Sequence, residues 1–235
     1  ENSVHAAAIR QAAADFAAAK NAKLCRIPQG ANALGLSQHG VLPTARGTRE
    51  ENGTPRDAQA MLQQPRAAYV IYGIEPGLDF ADGAAAQKAL KAAKVVAFSH
   101  FACQSTRNVA DVILPIGALP EIEATLTNLD GVEQRTQAGG KLPGEAREGW
   151  RVLRALGGEL QLPAFEFTDL AGARAAVVSA PAKLAASAAP VAGDQGLEVA
   201  ATAAIYRTDG VVRRAQALQA HPLNGSPCIT LHPAD

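Results

Sequence analysis

The stretch that decides the fold is RAAYVIYGIEPGLDFADGAAAQKALKAAKVVAFSHFACQSTRNVADVILP, residues 66–115. RAAYVIYGI is an apolar run rich in β-branched and aromatic residues, ended by Glu75-Pro76-Gly77, which predicts a buried strand leading into a loop. DGAAAQKALKAAK has the composition of a helix. VVAFSHF then predicts a second buried strand and ADVILP a short third one. Strands that alternate with helices imply a parallel sheet joined by crossovers. The fold class expected is therefore α/β: a doubly wound, mostly parallel sheet with flanking helices.

On the N-terminal side, Asn2 or Ser3 is placed to cap a helix over VHAAAIRQAAADFAAAK. AKLCRIP is a strand candidate ended by Pro28, and QGANALGLSQHGVLPTARGT is Gly-rich and aperiodic, hence a loop. TPRDAQAMLQQ predicts a short helix with Pro55 near its start. On the C-terminal side, TLTNLDGVEQRT reads as a hairpin turning at Asp130-Gly131. GEAREGWRVLRALGGEL reads as an amphipathic helix with Trp150, Leu153, Leu156 and Leu160 at helical spacing, and TDLAGARAAVVSA as a further helix capped by Thr168 or Asp169. The domain division expected is an α/β domain over residues 1–178, an Ala/Pro-rich linker over 179–196, and the start of a further domain over 197–235. PCITLHPAD is expected to form one short strand there. The chain opens on Glu1 and its sole Met is Met61, so we expect a piece of a longer polypeptide.

Composition removes several classes of function. Lys plus Arg number 22 and Asp plus Glu number 22, so the basic excess of a nucleic-acid domain is missing. No apolar run reaches the roughly 18 residues of a transmembrane helix, and direct membrane insertion is not expected. Cys25, Cys103 and Cys228 lie far apart with no CxxC, so no metal or iron–sulfur site is expected from this chain alone. Aromatic residues are only 4% and Ala abounds, which suits helices packed closely on a sheet.

Four groups of residues are candidates for chemistry. Gly73-Ile74-Glu75-Pro76-Gly77 follows a strand, where ligands bind in doubly wound sheets. Neither GxGxxG nor the Walker A pattern is present, and Glu75 would set a carboxylate where a phosphate would come. A structural loop is the plainer reading. His100, Cys103 and Asp111 together suggest a Cys/His/Asp nucleophile, but the spacing is weak evidence. Ser105 or Thr106 more simply starts a helical turn, and Asp111 more simply holds backbone amides at a strand entry. Glu121 and Glu123, two apart on an extended segment, point the same way but lack a His or Asp to complete a metal or acid–base site. A surface or loop-capping role is preferred. Arg213 and Arg214 form a pair that suits a contact between domains or subunits. No residue is assigned a catalytic role.

The run from Ala110 to Leu156 resembles the third domain of the molybdopterin oxidoreductase superfamily. Ala110-Asp111-Val112-Ile113-Leu114-Pro115 is similar to its A-D-V-hydrophobic-L-P strand, and Glu121 or Glu123 to an acid in the next loop. Thr125, Asn128, Asp130, Gly131 and Gln134 follow its hairpin pattern, and Pro143-Gly144-Glu145-Ala146 with Trp150 its helix entry. YGIEPG resembles the G-x-N-P loop. Within the superfamily the pattern is most similar to the family of large iron–sulfur subunits of the proton-pumping NADH-quinone oxidoreductases, respiratory complex I. GANALGLSQHGVLP and AIYRTDGVVRRAQALQ extend that likeness to both ends of the chain.

Two departures stand out: Glu75 where cofactor-binding relatives carry Asn, and Ser105-Thr106-Arg107 where many carry Glu-Thr-Ala. The resemblance implies a scaffold segment with a relic cleft at Gly73, Glu75, Pro76, Gly77, Ser105, Thr106 and Asp111, without a pterin of its own. It implies iron–sulfur clusters in an upstream part of the parent chain. The implied partners are other subunits of the complex I peripheral arm, at the cytoplasmic face of the inner membrane. The competing expectations are a domain of a true molybdopterin-dependent enzyme such as a formate dehydrogenase, which would help bind a pterin dinucleotide, and a free-standing nucleotide-binding module.

Overall fold

The computed structural model describes residues 5–25, 27, 30–39, 41, 57–177, 204–225 and 228–230. They fall into two compact units, one within His5–Ala192 and one within Gly193–Asp235.

In the first unit the α/β reading holds. Strands β1 (Ala68–Tyr72), β2 (Lys94–Ser99) and β3 (Val112–Pro115) form a parallel sheet in the order β1-β2-β3. The register aligns Val70 with Val96 and Val96 with Val112, and one residue pair further Tyr72 with Phe98 and Phe98 with Leu114. Partners in register point to the same face of a sheet. On the opposite face Ile71, Val95 and Ala97 pack with Leu90 and Val109, joined by Tyr69, Ile74, Ala110 and Ile113.

Leu90 comes from helix α4 (Gly83–Lys91), which Asp82 caps by accepting from the Ala85 amide at 2.9 Å. Val109 follows the short helix α5 (Gln104–Arg107). The core thus sits between the sheet and these two helices, because Ala86, Ala89 and Leu90 share one stripe of α4.

The other sheet face is only partly covered. Phe98 is buried beneath Tyr72, with the rings stacked at 5.6 Å between centroids. Val70 and Tyr72 remain 60% and 45% exposed, so β1 is a one-sided edge strand and not the fully buried strand its apolar run predicts. A period-2 pattern separates two faces only when polar residues mark one of them, and AYVIY has none.

Strands β4 (Ala124–Thr127) and β5 (Glu133–Thr136) form the expected antiparallel hairpin. Gly131 takes φ +82°, and the Asn128 side chain accepts from the amides of Asp130 and Val132 at 3.0 and 2.9 Å. Helix α6 (Gly149–Glu159) starts five residues later than the Gly144 entry expected from the sequence. The backbone of Arg147 instead bridges to the end of β3: the Gly117 amide donates to Arg147 and the Arg147 amide to Pro115. The buried side of α6 carries Gly149 and Gly157, whereas Leu153 and Leu160 are exposed. Gly149 lies against the Tyr72 ring and Gly157 against Phe165.

Helix α7 (Leu170–Ala175) is capped by Asp169, which accepts from the Gly172 amide at 2.7 Å. Arg174 ties α7 to the hairpin, donating to Glu123 at 2.8 Å and to Thr125 at 3.1 Å.

Helix α1 (Ala6–Ala19) starts after His5; Asn2 and Ser3 lie outside the described residues. Two sequence expectations fail nearby. Residues 22–25 and 27 form no strand. The Gly-rich stretch contains helix α2 (Ala33–Gln38). Asn32, just before it, accepts from the Thr127 amide at 2.8 Å, so a tertiary bond to β4 holds a helix that local periodicity does not signal. Helix α3 (Ala58–Gln63) is present and capped by Asp57; Pro55 lies outside the described residues. Among the described residues no helix is long and apolar enough to cross a membrane.

The described residues of the second unit form short turns. Ile205–Arg207 and Val212–Arg214 are 3₁₀ turns and α8 spans Gln216–Gln219. The Gln219 amide group donates to the carbonyls of Tyr206 and Val212 at 2.8 and 2.7 Å and so binds the turns together. Arg213 and Arg214 donate back to the carbonyls of Arg207 and Gly210. Residues 228–230 form no strand, against expectation; the rest of that stretch lies outside the described residues.

Candidate functional site

In a parallel sheet the ligand-binding loops gather at the carboxyl ends of the strands. Here these ends lead into Gly73, His100 and Ile116. The Gly73 amide donates to the Phe98 carbonyl at 2.8 Å, and the Ile116 amide to the Ser99 carbonyl at 3.1 Å, which extends the ladder into the loops. Gly73 takes φ +66°, and a methyl placed on it would lie 3.1 Å from Nε2 of His100. Glycine takes that conformation without the strain most side chains would bring. Nδ1 of His100 lies 3.4 Å from the Ile116 carbonyl.

After Gly73 the chain folds into a tight turn. The amides of Leu78 and Asp79 both donate to the Glu75 carbonyl at 2.9 Å. The Asp79 carboxylate in turn accepts from the Glu75 amide at 2.6 Å. Pro76 is fully buried and Glu75 is 5% exposed. Gly77 packs against Ser105: a methyl there would meet the Ser105 Cβ at 3.2 Å. Thr106 is fully buried one residue on. Six of the seven residues expected in the cleft therefore gather at one end of the sheet.

Asp111 does not join them. It sits at the opposite, amino end, where Oδ2 accepts from the Val95 amide at 2.8 Å and Oδ1 from Lys94 Nζ at 3.0 Å. Its own amide donates to the Val95 carbonyl at 2.9 Å. It is a bolt between β2 and the entry to β3, the plainer of the two readings its position allowed. The bond from the Val95 amide first, and that from Lys94 second, hold its carboxyl below the usual aspartate range. A depressed folded value stabilises the native state above the unfolded value of about 3.9 and is lost as pH falls through the folded value. The melting-temperature gap between wild type and Asp111→Asn is expected to be widest at neutral pH and to close below about pH 4, as measured by thermal melts across pH.

Cys103 lies at the cleft, with its Sγ 3.2 Å from Ser105 Oγ and 3.3 Å from Thr106 Oγ1. Burial pushes the thiol up, but bonds from the Ser105 and Thr106 hydroxyls and from the Thr106 backbone outweigh it; the Glu75 carboxylate opposes them, and the net direction is down. Thr106→Val is expected to shift the pH profile of Cys103 alkylation upward, and Glu75→Gln to shift it downward. Mass spectrometry of iodoacetamide-labelled peptides measures both. Shifts of the same sign would contradict this arrangement of partners.

Glu121 and Glu123 do not share a target. Glu121 accepts from the Ala118 amide at 2.8 Å and closes its own loop, while Glu123 pairs with Arg174. Among the described residues no group of three or more His, Cys, Asp or Glu is placed to hold a metal ion. Beside the Glu75 turn lies a hollow of about 540 Å³ whose lining includes Asp57, Asp79, Phe80 and Asp82. Sequence reading missed Gly83 and Gln87 as partners of this turn. A methyl on Gly83 would lie 2.7 Å from the Gly77 carbonyl oxygen, and one on Gly77 would lie 3.2 Å from Gln87 Nε2. The signal was the Gly directly after the Asp82 cap.

A three-stranded parallel sheet with flanking helices and glycine loops at its carboxyl ends defines an α/β domain of the kind that places ligands or partners at that edge. The family model "Molybdopterin oxidoreductase" matches residues 2–159, and the chain belongs to that family. Curated relatives match shorter stretches. Identity is 45% over 65 residues with the NADH-ubiquinone oxidoreductase 75 kDa subunit of Reclinomonas americana, covering 27% of this chain and 9% of that one. It is 49% over 47 residues with the mitochondrial NADH-ubiquinone oxidoreductase 78 kDa subunit of Candida albicans, covering 20% and 6%. The matched stretches thus span under a tenth of these relatives. Among solved structures, acetylene hydratase from Pelobacter acetylenicus is similar at a TM-score of 0.42 and 18% identity, over 58% of this chain and 20% of that one.

Proposed function

We propose that this chain is a scaffold segment of the large iron–sulfur subunit of a proton-pumping NADH-quinone oxidoreductase. It keeps the molybdopterin-enzyme fold without binding the pterin or carrying electrons. The observation that carries this reading is Glu75, a carboxylate 5% exposed within the turn at the carboxyl end of the sheet. An anionic pterin dinucleotide needs unengaged amides and positive charge at such a loop. Here the Glu75 amide already donates to Asp79, and Asp57, Asp79 and Asp82 line the adjoining hollow. These residues do not suit a pyrophosphate, since like charges repel across a partly desolvated site. The local identity with the 75 and 78 kDa subunits supports the same reading.

In this view the iron–sulfur clusters sit elsewhere in the parent chain. The segment packs against other subunits of the peripheral arm, at the cytoplasmic face of the inner membrane. Elemental analysis with pterin extraction, on the parent protein purified from its native source, tests it. Iron without molybdenum or pterin is the expected result. Stoichiometric molybdenum and pterin would replace this reading with that of a molybdopterin-dependent enzyme.

A further inference from the structure

At the start of α6, Trp150, Arg151, Arg154 and Thr168 line a hollow of about 140 Å³. Its lining is largely apolar, and its polar groups are chiefly donors. The Arg151 guanidinium lies 4.5 Å from the centre of the Trp150 ring, and its Nε donates to Glu148 at 2.6 Å. The Nε of Arg154 donates to the Phe167 carbonyl at 3.1 Å, which orients the guanidinium and leaves its terminal nitrogens outside any hydrogen bond of the described residues. Trp150 rests on Phe167, ring centres 6.2 Å apart. Its indole Nε1–H is buried and meets no acceptor among the described residues.

We infer that this hollow binds a single carboxylate, supplied by an aspartate or glutamate side chain of a protein partner. Three observations select that ligand. Arg151 already pairs with Glu148, so Arg154 is the lining guanidinium left to meet an anion, which matches a monoanion better than a dianionic phosphate. A guanidinium fork meets a planar carboxylate with two parallel bonds. The space of about 140 Å³ is below the roughly 300 Å³ at which small-molecule and cofactor sites begin, and it suits one acidic side chain. The site stands apart from the Glu75 turn. That its partner is a neighbouring subunit rests on the proposed function; the carboxylate site itself does not.

Trp150 is the sole tryptophan of the chain, so its emission reports on this hollow directly. The test is a fluorescence titration of the 235-residue chain with a blocked pentapeptide carrying one central glutamate, against the same peptide carrying glutamine. Inorganic phosphate is titrated in parallel at matched ionic strength. The glutamate peptide is expected to give a saturable change and the glutamine peptide none. Arg154→Gln is expected to weaken the response about tenfold with an unchanged far-ultraviolet circular dichroism spectrum. Arg154→Lys keeps the charge, loses the fork, and is expected to fall between the two. Equal responses to both peptides would overturn the site, as would wild-type binding by a folded Arg154 variant. Tighter binding of phosphate would overturn the choice of ligand. These outcomes are independent of the metal and pterin content that tests the scaffold reading.

Discussion

Replacing Phe98 by alanine is expected to destabilise the α/β unit by about 3–5 kcal/mol, the range for a large buried aromatic truncated to a methyl. Phe98 is 1% exposed near the carboxyl end of the middle strand and stacks on Tyr72. Its neighbours in register are Tyr72 on one side and Leu114 on the other, so the cavity opens between two strands that cannot close without breaking the ladder. In a chain of this size such a loss lowers the melting temperature by roughly 6–20 °C. Phe98→Leu keeps most of the apolar volume and should cost about 1 kcal/mol. Thermal and urea unfolding of the two variants measures the difference. An alanine variant as stable as the leucine variant would show that the face holding Phe98 is not packed as described.

Gly83→Ala is the second large effect, and its sign runs against helix propensity. Alanine is favoured over glycine within a helix by up to about 1 kcal/mol. At Gly83, however, the added methyl would meet the Gly77 carbonyl oxygen at 2.7 Å and its carbon at 3.1 Å. Both are backbone atoms of a turn fixed by buried Pro76, so neither rotates away. We expect a loss of about 1–3 kcal/mol, the usual cost of overpacking. Gly158→Ala is the matched control, because no heavy atom lies within 4 Å of its methyl. There the substitution should stabilise by about 0.4–1 kcal/mol, through the lost freedom of the unfolded chain. Opposite signs at two helical glycines are the outcome that supports this packing. A gain at Gly83 would show that the loop between β1 and α4 does not seat on the helix start.

Both predictions rest on features with very different visibility in the sequence. The three parallel strands were legible, because apolar β-branched runs bounded by Pro, Gly and Asp alternate with an Ala-rich helix between residues 66 and 115. The hairpin turn at Asp130-Gly131 was legible for the same local reason: Asn128 and Gly131 carry the turn chemistry themselves. Helix α2 was not. Its six residues hold two glycine-flanked leucines and no periodic stripe, and its anchor is the bond from the Thr127 amide to Asn32, 95 residues apart. The strand expected over 22–28 failed for the complementary reason. An apolar run becomes a strand only if another strand offers it a ladder, and among the described residues none pairs with 22–25 or 27.

At the site, sequence by itself determined that loops follow the apolar runs at Gly73–Gly77 and Ser99–Thr106, because Pro and Gly end the first run locally and polar residues the second. It determined that Glu75 brings a carboxylate there, and that the three cysteines lie far apart in sequence with no CxxC. Only the tertiary structure decided which of those residues act together. It turned the Glu75 amide onto Asp79, sent Asp111 to the far end of the sheet, and directed Glu121 and Glu123 to separate partners. It also assembled Trp150, Arg151, Arg154 and Thr168 around one hollow, a grouping that the helical stripe of Trp150 with three leucines does not announce. The physical reason is the same throughout. Backbone propensity and hydrophobic period act over a few residues, whereas the direction of a polar side chain is set by whichever donor or acceptor the fold brings within about 3 Å.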